Sequence, residues 1–356
     1  MKYRQKKRFD KKDAVKAVVV LVVLVCLLVC GGLALHLWEN GQYSTGSDEV
    51  GREVIATSDE LKEVTYNGQT WQQRQELETY LLMGIDKEGK AVAVDSYEGG
   101  GQADVQIVLV VDNANQTWQM LQINRDTITK VPVLDVLGGV SAYADEQIAL
   151  AHYYGNGGKN SCENTELAVS MLLDDQPING YLALNMDAVG IVTDLVGGVT
   201  LTITSDFSEI DPSLVQGDTM TLDGQKALTY VRSRHHIDDQ TNIARMRRQQ
   251  QFLTALEEKL KQQDTEFAAK AYDALSDYMV TDIASGTAAK IGEKLKQYKR
   301  LDTLTIAGEN VVENGFWAYH LDETSRQETV LQLFYTVSQT SRWRWLCADV
   351  LRKRKA

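Results

Sequence analysis

The longest apolar stretch of the chain lies near its start, where residues 17–35 contain nineteen amino acids and no charge. As a helix rising about 1.5 Å per residue, this stretch would span roughly 28 Å, close to the thickness of a bilayer's hydrocarbon core. A cleaved signal peptide has a shorter apolar region, about 7–15 residues, followed by a small-residue cleavage site. Here His36, Leu37 and Trp38 follow instead. The pattern therefore predicts an uncleaved transmembrane anchor over residues 17–37.

Beyond the anchor, short apolar runs alternate with turns and amphipathic stretches. Residues 79–86 and 105–111 are apolar runs of strand length, and a turn separates the second from a third run, residues 118–123. The second and third runs predict a β-hairpin. Apolar spacing typical of helices, or alternation typical of strands, continues to residue 337. It predicts helices over residues 163–173, 188–195, 223–231, 243–261 and 328–337, further helices in 265–301, a strand at 199–203 and a strand pair in 303–319.

Because strands and helices alternate along the chain, the sequence favours an α/β fold with three layers, α/β/α, around a central mixed sheet. Residues 38–76 are polar, rich in Gly, Ser, Glu and Gln, and are interpreted as a tether. The predicted division is a basic segment (1–16), the transmembrane anchor (17–37), the tether (38–76), the α/β domain (77–340) and a basic, aromatic C-terminal tail (341–356).

The net charge of −12 is unevenly distributed. Residues 1–16 hold eight basic and two acidic residues, residues 341–356 hold six basic and one acidic, and the body between them carries a net charge of −23. An acidic body argues against nucleic acid as a partner, since binding phosphate backbones needs a basic face. The basic start should remain in the cytoplasm, which predicts a single-pass cell-membrane protein with its N-terminus cytoplasmic and its α/β domain extracellular.

Charged side chains stand at the ends of several apolar elements. Asp86 ends the first run and Asp104 precedes the second, while Arg125 and Asp126 follow the third. Each alone is typical of a solvated strand end. Together, two carboxylates would suit a hard cation such as Mg²⁺ or Mn²⁺, which prefers oxygen ligands.

Arginines near the predicted helices complete this set. Arg232 and Arg234 alternate in a segment interpreted as extended, so both side chains should point to one side. Arg245 and Gln249 are four residues apart on a predicted helix and share a face, with Arg248 beside them. Guanidinium forks suit phosphate, and carboxylates with convergent arginines are typical of phosphoryl transfer, where catalysis is mostly positioning and charge neutralisation.

From about residue 80 to residue 260 the sequence resembles the LytR-CpsA-Psr family of bacterial cell-wall enzymes. The most specific match is the stretch Leu-Asp-Gly-Gln-Lys-Ala-Leu-Thr-Tyr-Val-Arg-Ser-Arg at residues 222–234. The other matching landmarks are Leu-Leu-Met-Gly-Ile-Asp at 81–86, Ala-Asp at 103–104, Arg-Asp at 125–126, Asp-Leu-Val-Gly-Gly-Val at 194–199 and Arg-Met-Arg-Arg-Gln-Gln-Gln at 245–251.

The resemblance implies a phosphotransferase that moves a glycopolymer, such as teichoic acid or capsular polysaccharide, from a polyprenyl-pyrophosphate carrier to peptidoglycan. The lipid would occupy an apolar tunnel in the domain. Asp86 and Asp104 would bind Mg²⁺, and Asp104, Arg125 and Arg232 would be catalytic. The residues that the resemblance assigns to the pyrophosphate are Arg125, Arg232, Arg234, Arg245, Arg248 and Gln249.

The sequence departs from the family pattern at several site positions. Gln102 stands where members usually have Arg, Asn124 where they have Pro, and Asn242 where they have Asp. These departures keep two other functions open: hydrolysis of the lipid pyrophosphate, and a non-catalytic envelope or regulatory protein that binds polyprenyl pyrophosphate. The C-terminal tail is either a disordered terminus or a contact for membrane lipids or an anionic wall polymer. Pairing of Cys162 with Cys347 also stays open.

Overall fold

The structure is a computed structural model that describes residues 62–94, 99–135, 137–260, 262–263, 265–313 and 315–338. The predicted anchor, the C-terminal tail and Cys347 lie outside the described residues. Within them, no helix is both long and apolar enough to cross a membrane.

Sixteen strands lie within the described parts of the chain. They are β1 (Glu63–Tyr66), β2 (Gln69–Gln73), β3 (Leu77–Ile85), β4 (Ala103–Asp112), β5 (Thr117–Ile123), β6 (Ile128–Leu134), β7 (Val140–Gln147), β8 (Gly180–Asn185), β9 (Val199–Thr202), β10 (Thr219–Leu222), β11 (Met279–Thr281), β12 (Lys299–Arg300), β13 (Leu304–Thr305), β14 (Gly308–Glu313), β15 (Phe316–Leu321) and β16 (Tyr335–Val337).

Eight α-helices lie in the same residues. They are α1 (Leu150–Tyr153), α2 (Lys159–Leu172), α3 (Asp187–Leu195), α4 (Gly224–Arg232), α5 (Asn242–Leu260), α6 (Thr265–Leu275), α7 (Ser285–Gln297) and α8 (Glu323–Phe334). Asp223 caps α4, as its side chain accepts a hydrogen bond from the N–H of Lys226, and Asp322 caps α8 in the same way through Ser325. Such caps satisfy amide donors that have no partner inside the helix.

The central sheet has the strand order β11-β8-β3-β4-β5-β12, and β13 also pairs with β5. Strands β3, β4 and β5 are antiparallel neighbours, whereas β8 runs parallel to β3. The predicted hairpin of the second and third apolar runs is therefore confirmed as β4–β5.

Helices cover both faces of this sheet. One face packs on α2 and α8, through residues such as Val169 and Leu333. The other faces α7 and part of α5, through residues such as Ile291 and Leu253. A further apolar cluster joins α3, α4, α5 and α6 with β9 and β10. The predicted α/β class, with helices around a mixed sheet, is confirmed.

Three details differ from the sequence pattern. Strands β1 and β2 form a hairpin within residues assigned to the tether, and β2 pairs with β16, so the folded part begins before residue 77. The predicted last helix stops at Phe334, because the apolar chain beyond it leaves the helix to pair with β2 as β16. Strand β8 was missed because its six residues are nearly all buried, and a strand buried on both faces shows no alternation of apolar and polar positions.

Helices α3 and α4 meet through two glycines. An added Cβ on Gly224 would lie 2.5 Å from the carbonyl oxygen of Gly190. That oxygen belongs to the backbone of α3 and has little freedom to move. The close approach of the two helices therefore depends on the missing side chain.

We expect Gly224→Ala to lower the free energy of unfolding by about 2 kcal/mol, because the methyl group would force the two helices apart. The matched control is Gly286→Ala in α7, where an added Cβ meets no atom within 4 Å. The control should leave stability unchanged or raise it by up to about 1 kcal/mol. Urea denaturation of both variants measures the difference, and equal stabilities would contradict the packing argument.

Candidate active site

The antiparallel pairing of β3, β4 and β5 brings the predicted charged residues to one edge of the sheet. Strand β4 begins where its two neighbours end, since Ala103 pairs with Ile85 and Gln106 pairs with Ile123. Asp86, Asp104 and Arg125 are each within two residues of this edge. Chain direction alone therefore gathers side chains that are up to 39 positions apart in the sequence.

Asp104 lies at the centre of the site and is only 7% exposed. One carboxylate oxygen accepts a hydrogen bond from Nη1 of Arg125. The other accepts from Nη1 of Arg245 at 2.7 Å. Nη2 of Arg125 donates in turn to Oε1 of Gln102. The carboxylate thus holds two guanidinium groups in fixed orientations.

Arg245 comes from the first turn of α5 and is buried. Its Nε and Nη2 both donate to Oδ1 of Asn242, at 3.0 and 2.6 Å. Burial lowers the pKa of Arg245, and the charge of Asp104 opposes that effect. The ion pair with Asp104 offsets the desolvation cost of the buried Arg245 guanidinium.

Asp126 is a second buried carboxylate next to Arg125. Its Oδ1 lies 3.1 Å from Nε of Arg125, and its Oδ2 accepts from Nη1 of Arg234 at 3.1 Å. Burial raises the pKa of Asp126, while the two arginines and Arg245 oppose the rise. Asp126 therefore anchors Arg234 beside Arg125.

Asp86 faces the loop before β4. Its Oδ1 accepts the N–H of Gln102, and its own N–H donates to the Gln102 carbonyl at 2.9 Å. Burial raises the pKa of Asp86, and the nearby charge of Asp104 raises it further. The two predicted metal ligands therefore lie close enough for their charges to repel each other.

Arg232 and Arg234 do not share a strand as predicted. Arg232 is the last residue of α4, because the helix continues one residue beyond the predicted end at residue 231. Its Nη1 pairs with Glu88 at 2.6 Å, and its side chain is 44% exposed. Arg234 follows the helix and pairs with Asp126. The two side chains thus approach the site from different directions.

Arg248 differs from the prediction. All three of its guanidinium nitrogens donate to protein groups: Nε to the carbonyl of Tyr230, Nη2 to the carbonyl of Ser233 and Nη1 to Asp238 at 2.5 Å. It is buried and stacks over Phe207, with 5.6 Å between its Cζ and the ring centroid. Its ion pair is with Asp238 rather than with Asp104 or Asp126, so Arg248 lies outside the cluster around Arg125 and Arg245 and holds the segment that carries Arg234.

An apolar cavity of about 340 Å³ lies between the sheet and helices α3 and α5. Its wall includes Val105, Val231 and Gln249, the chain neighbours of Asp104, Arg232 and Arg248. Other lining residues are Leu82, Ile107, Leu182, Leu184, Val189, Val192, Phe252 and Leu256. The cavity therefore lies beside the backbone that carries Asp104 and Arg232, and Gln249 is on its wall.

The chemistry of the two carboxylates suits a hard divalent cation. Mg²⁺ commonly binds through one or two protein carboxylates and takes waters and substrate phosphates as its other ligands. Asp86 and Asp104 supply such oxygens, and a cation would relieve their mutual repulsion. No group of three or more His, Cys, Asp or Glu side chains in the described part of the chain is arranged to hold a metal. Metal binding stays a prediction.

Glu88 was not singled out from the sequence, and Gln102, Asn124 and Asn242 were noted only as departures from the family pattern, without their contacts. Glu88, Asn124 and Asn242 each contact a site residue, and Gln102 acts as an acceptor for Arg125. Only Asn242 left a usable signal, because it lies three residues before Arg245 and so one helical turn away. The contacts of the others are between residues distant in the sequence, or depend on a loop.

The fold and site together define an α/β protein that joins a buried carboxylate–arginine cluster to an apolar cavity. The LytR_cpsA_psr family model matches residues 42–334, and the chain belongs to this family.

Relatives of known name agree with this membership. The teichoic acid transferase TagU of Bacillus subtilis is 27% identical over 254 residues, covering 71% of this chain and 72% of TagU. TagT of the same organism is 24% identical over 345 residues, covering 94% of this chain and 98% of TagT. Both carry the full name polyisoprenyl-teichoic acid–peptidoglycan teichoic acid transferase.

Solved structures show the same fold. The crystal structure of B. subtilis TagV has a TM-score of 0.55 and 26% identity, and the match covers 73% of this chain and 96% of that chain. TagT bound to LI-WTA has a TM-score of 0.56 and 22% identity, covering 73% and 90%.

We expect Asp86→Asn to stabilise the protein at pH 7. The raised pKa of Asp86 means that its ionised form is disfavoured by folding. Its contribution to stability is therefore full below the unfolded-state value near 3.8 and is lost as the pH rises through the raised folded-state pKa. Asparagine keeps an oxygen for the Gln102 N–H and carries no charge. Urea denaturation at pH 7 and pH 3 should show a gain at pH 7 that shrinks at pH 3.

Asp206→Asn is the control of opposite sign. The backbone N–H of Ser208 lowers the pKa of Asp206, so its ionised form is favoured by folding. Its contribution is present above the unfolded-state pKa and is lost as the pH falls through the lowered one. This variant should lose stability at pH 7. A gain for Asp86→Asn of equal size at both pH values would contradict the argument from ionisation.

Proposed function

We propose that the chain is a membrane-anchored extracellular transferase that moves a glycopolymer from a polyprenyl-pyrophosphate carrier to peptidoglycan during cell-wall assembly. The observation that carries the proposal is that the apolar cavity lies beside the arginine cluster, since Val105 and Val231, the chain neighbours of Asp104 and Arg232, are on its wall. A polyprenyl pyrophosphate has the same two parts, an apolar chain and a doubly charged head. The names of the relatives TagU and TagT, transferases that act between teichoic acid and peptidoglycan, support the same reaction.

In this proposal the lipid chain occupies the cavity and the pyrophosphate lies against Arg125, Arg232, Arg234 and Arg245, with Gln249 at the border between them. A hydroxyl oxygen of the acceptor attacks the phosphorus on the sugar side. The bond from that phosphorus to the bridging oxygen breaks, and polyprenyl phosphate leaves with the electron pair and takes up the proton of the attacking hydroxyl. The glycopolymer is then joined to the acceptor through the phosphate.

Phosphoryl transfer depends mainly on positioning and on neutralising the charge of the phosphoryl oxygens. The buried arginines suit this task because they are held in place before the donor binds and lie where little water weakens their field. Asp104 orients Arg125 and Arg245, since both of its oxygens accept their hydrogen bonds. We therefore assign Asp104 an orienting role rather than that of a proton acceptor.

Mg²⁺ would be held by Asp86 and Asp104, where it would neutralise charge on the phosphate oxygens. The apolar residues 17–35 would anchor the chain, with the basic residues 1–16 on the cytoplasmic side. That anchor would keep the cavity close to the bilayer, which is the source of a lipid-linked donor.

We expect Arg232→Ala to lower the transfer rate by at least about tenfold, because it removes a charge-assisted hydrogen bond to the pyrophosphate. Arg232 suits the test since it is partly exposed and its removal leaves no buried carboxylate unpaired. The matched control is Arg247→Ala, an exposed arginine on α5 between Arg245 and Arg248. The control should transfer at the unaltered rate.

The measurement incubates the full-length chain with a polyprenyl-pyrophosphate-linked glycan, Mg²⁺ and peptidoglycan fragments, and analyses products by mass spectrometry. Glycan joined to the fragment through phosphate supports the proposal. Free glycan phosphate would instead identify a hydrolase. Absence of both products, with donor binding retained, would identify a non-catalytic binding protein.

We expect Val189→Phe to weaken binding of a long polyprenyl pyrophosphate by about tenfold without changing the affinity for inorganic pyrophosphate. The larger ring would fill part of the cavity beside α3 and displace about two methylene groups of the lipid. Val215→Phe, at a position that is 51% exposed and outside the cavity wall, is the control. Equal loss for both ligands would argue against the cavity as the lipid site.

A further inference from the structure

The hydrogen bonds around Asp104 continue into a buried pair of asparagines. Nδ2 of Asn242 donates to Oδ1 of Asn124 at 2.8 Å. Asn242 begins α5 and is 1% exposed, and Asn124 follows β5 and is 6% exposed. Oδ1 of Asn124 also accepts the N–H of Asp126 at 3.0 Å. The pair therefore ties the start of α5 to the turn that carries Arg125.

The direction of each bond in this pair is fixed by chemistry. A guanidinium only donates, so the atom of Asn242 that faces Arg245 must be its oxygen. The nitrogen of Asn242 must then face Asn124, and the atom that receives it must be an oxygen. The amide of Asn242 is used at both ends.

These bonds close a ring through both arginines. Arg125 and Arg245 donate to the same carboxylate, that of Asp104. Arg245 is held by Asn242, and Asn242 is held by Asn124, which directly precedes Arg125 in the chain. Three separate elements, the start of β4, the end of β5 and the start of α5, are thereby fixed relative to one another.

We propose that Asn124 and Asn242 are positioning residues, whose mutual hydrogen bond sets the spacing of Arg125 and Arg245 for the donor's pyrophosphate. The inference rests on the proposed function and deepens it. A carboxylate at position 242 could also accept from Arg245, but it would neutralise that charge and could not donate to Asn124. The neutral amide orients the guanidinium without adding a second negative charge beside it to that of Asp104.

The test measures binding of farnesyl pyrophosphate to the full-length chain by isothermal titration calorimetry. Asn124→Ala and Asn242→Ala should each lower the affinity by about tenfold. This is the effect expected from the loss of one buried hydrogen bond that helps to hold a charged group. If the two residues act through their bond, the double variant should lose about as much as either single variant. A loss of about a hundredfold in the double variant, the product of independent effects, would overturn the proposal.

A second comparison separates hydrogen bonding from charge. Asn124→Asp and Asn242→Asp each add one negative charge at nearly the same place. Asn124→Asp keeps the oxygen that accepts from Asn242 and Asp126, whereas Asn242→Asp removes the donor. We expect Asn242→Asp to weaken binding clearly more than Asn124→Asp. Equal losses would show that charge alone matters and would overturn the proposed role.

Asn164→Ala controls for a general effect on the fold. Asn164 is a buried asparagine of α2 that donates to the carbonyls of Pro132 and Ala151, away from the arginines. It should lose thermal stability and keep the affinity for farnesyl pyrophosphate. If Asn164→Ala lost as much affinity as the Asn124 and Asn242 variants, the asparagine pair would act only through the stability of the fold. That result would overturn the proposal.

The outcomes separate this inference from the proposed function. If the unaltered chain binds farnesyl pyrophosphate and the asparagine variants bind equally well, only the positioning role fails. If the unaltered chain does not bind farnesyl pyrophosphate, the proposed function fails and the positioning role falls with it.

Discussion

The site depends on one interaction, the sharing of the Asp104 carboxylate between two guanidinium groups. A buried carboxylate is costly to desolvate, and so is a buried arginine, but each offsets the other when their hydrogen bonds are complete. Removing Asp104 would leave both guanidinium groups without the carboxylate that they share. The pairing of β3 with β4 and of β4 with β5, together with the placement of α5, makes this interaction possible. It brings the start of β4, the end of β5 and the start of α5 together around Asp104.

Within the acidic chain, four arginines gather among carboxylates at one edge of the sheet. Arg125, Arg234 and Arg245 lie next to the carboxylates of Asp104 and Asp126, and Arg232 stands at the opening with Glu88. Beside this cluster the cavity wall is almost wholly apolar. A low-dielectric wall strengthens the field of fixed charges, so a few arginines can attract an anionic head group despite a net charge of −12.

The sequence predicted the central strands and the carboxylates at their ends, because buried runs and the charges that terminate them are local features. It also predicted α4 and α5 within a residue or two at each end. It failed for Arg248, whose partners in the Ser233 and Asp238 loop cannot be read from spacing, and for the helical ending of α4 at Arg232. Two departures from the family pattern, Asn124 and Asn242, were noted in the sequence as separate positions. They contact each other, and such compensation between distant positions is visible only in three dimensions.

The ion pair of Arg232 with Glu88 has a consequence for how a ligand enters. Both side chains are largely exposed, so water and dissolved ions weaken their attraction, and the pair contributes little to stability. Exchanging the carboxylate of Glu88 for a phosphate oxygen therefore has a low barrier, whereas Arg245 keeps its partner throughout. The ion pair of the outer arginine, Arg232, should therefore weaken as the ionic strength rises, whereas the buried pair of Arg245 with Asp104 should not.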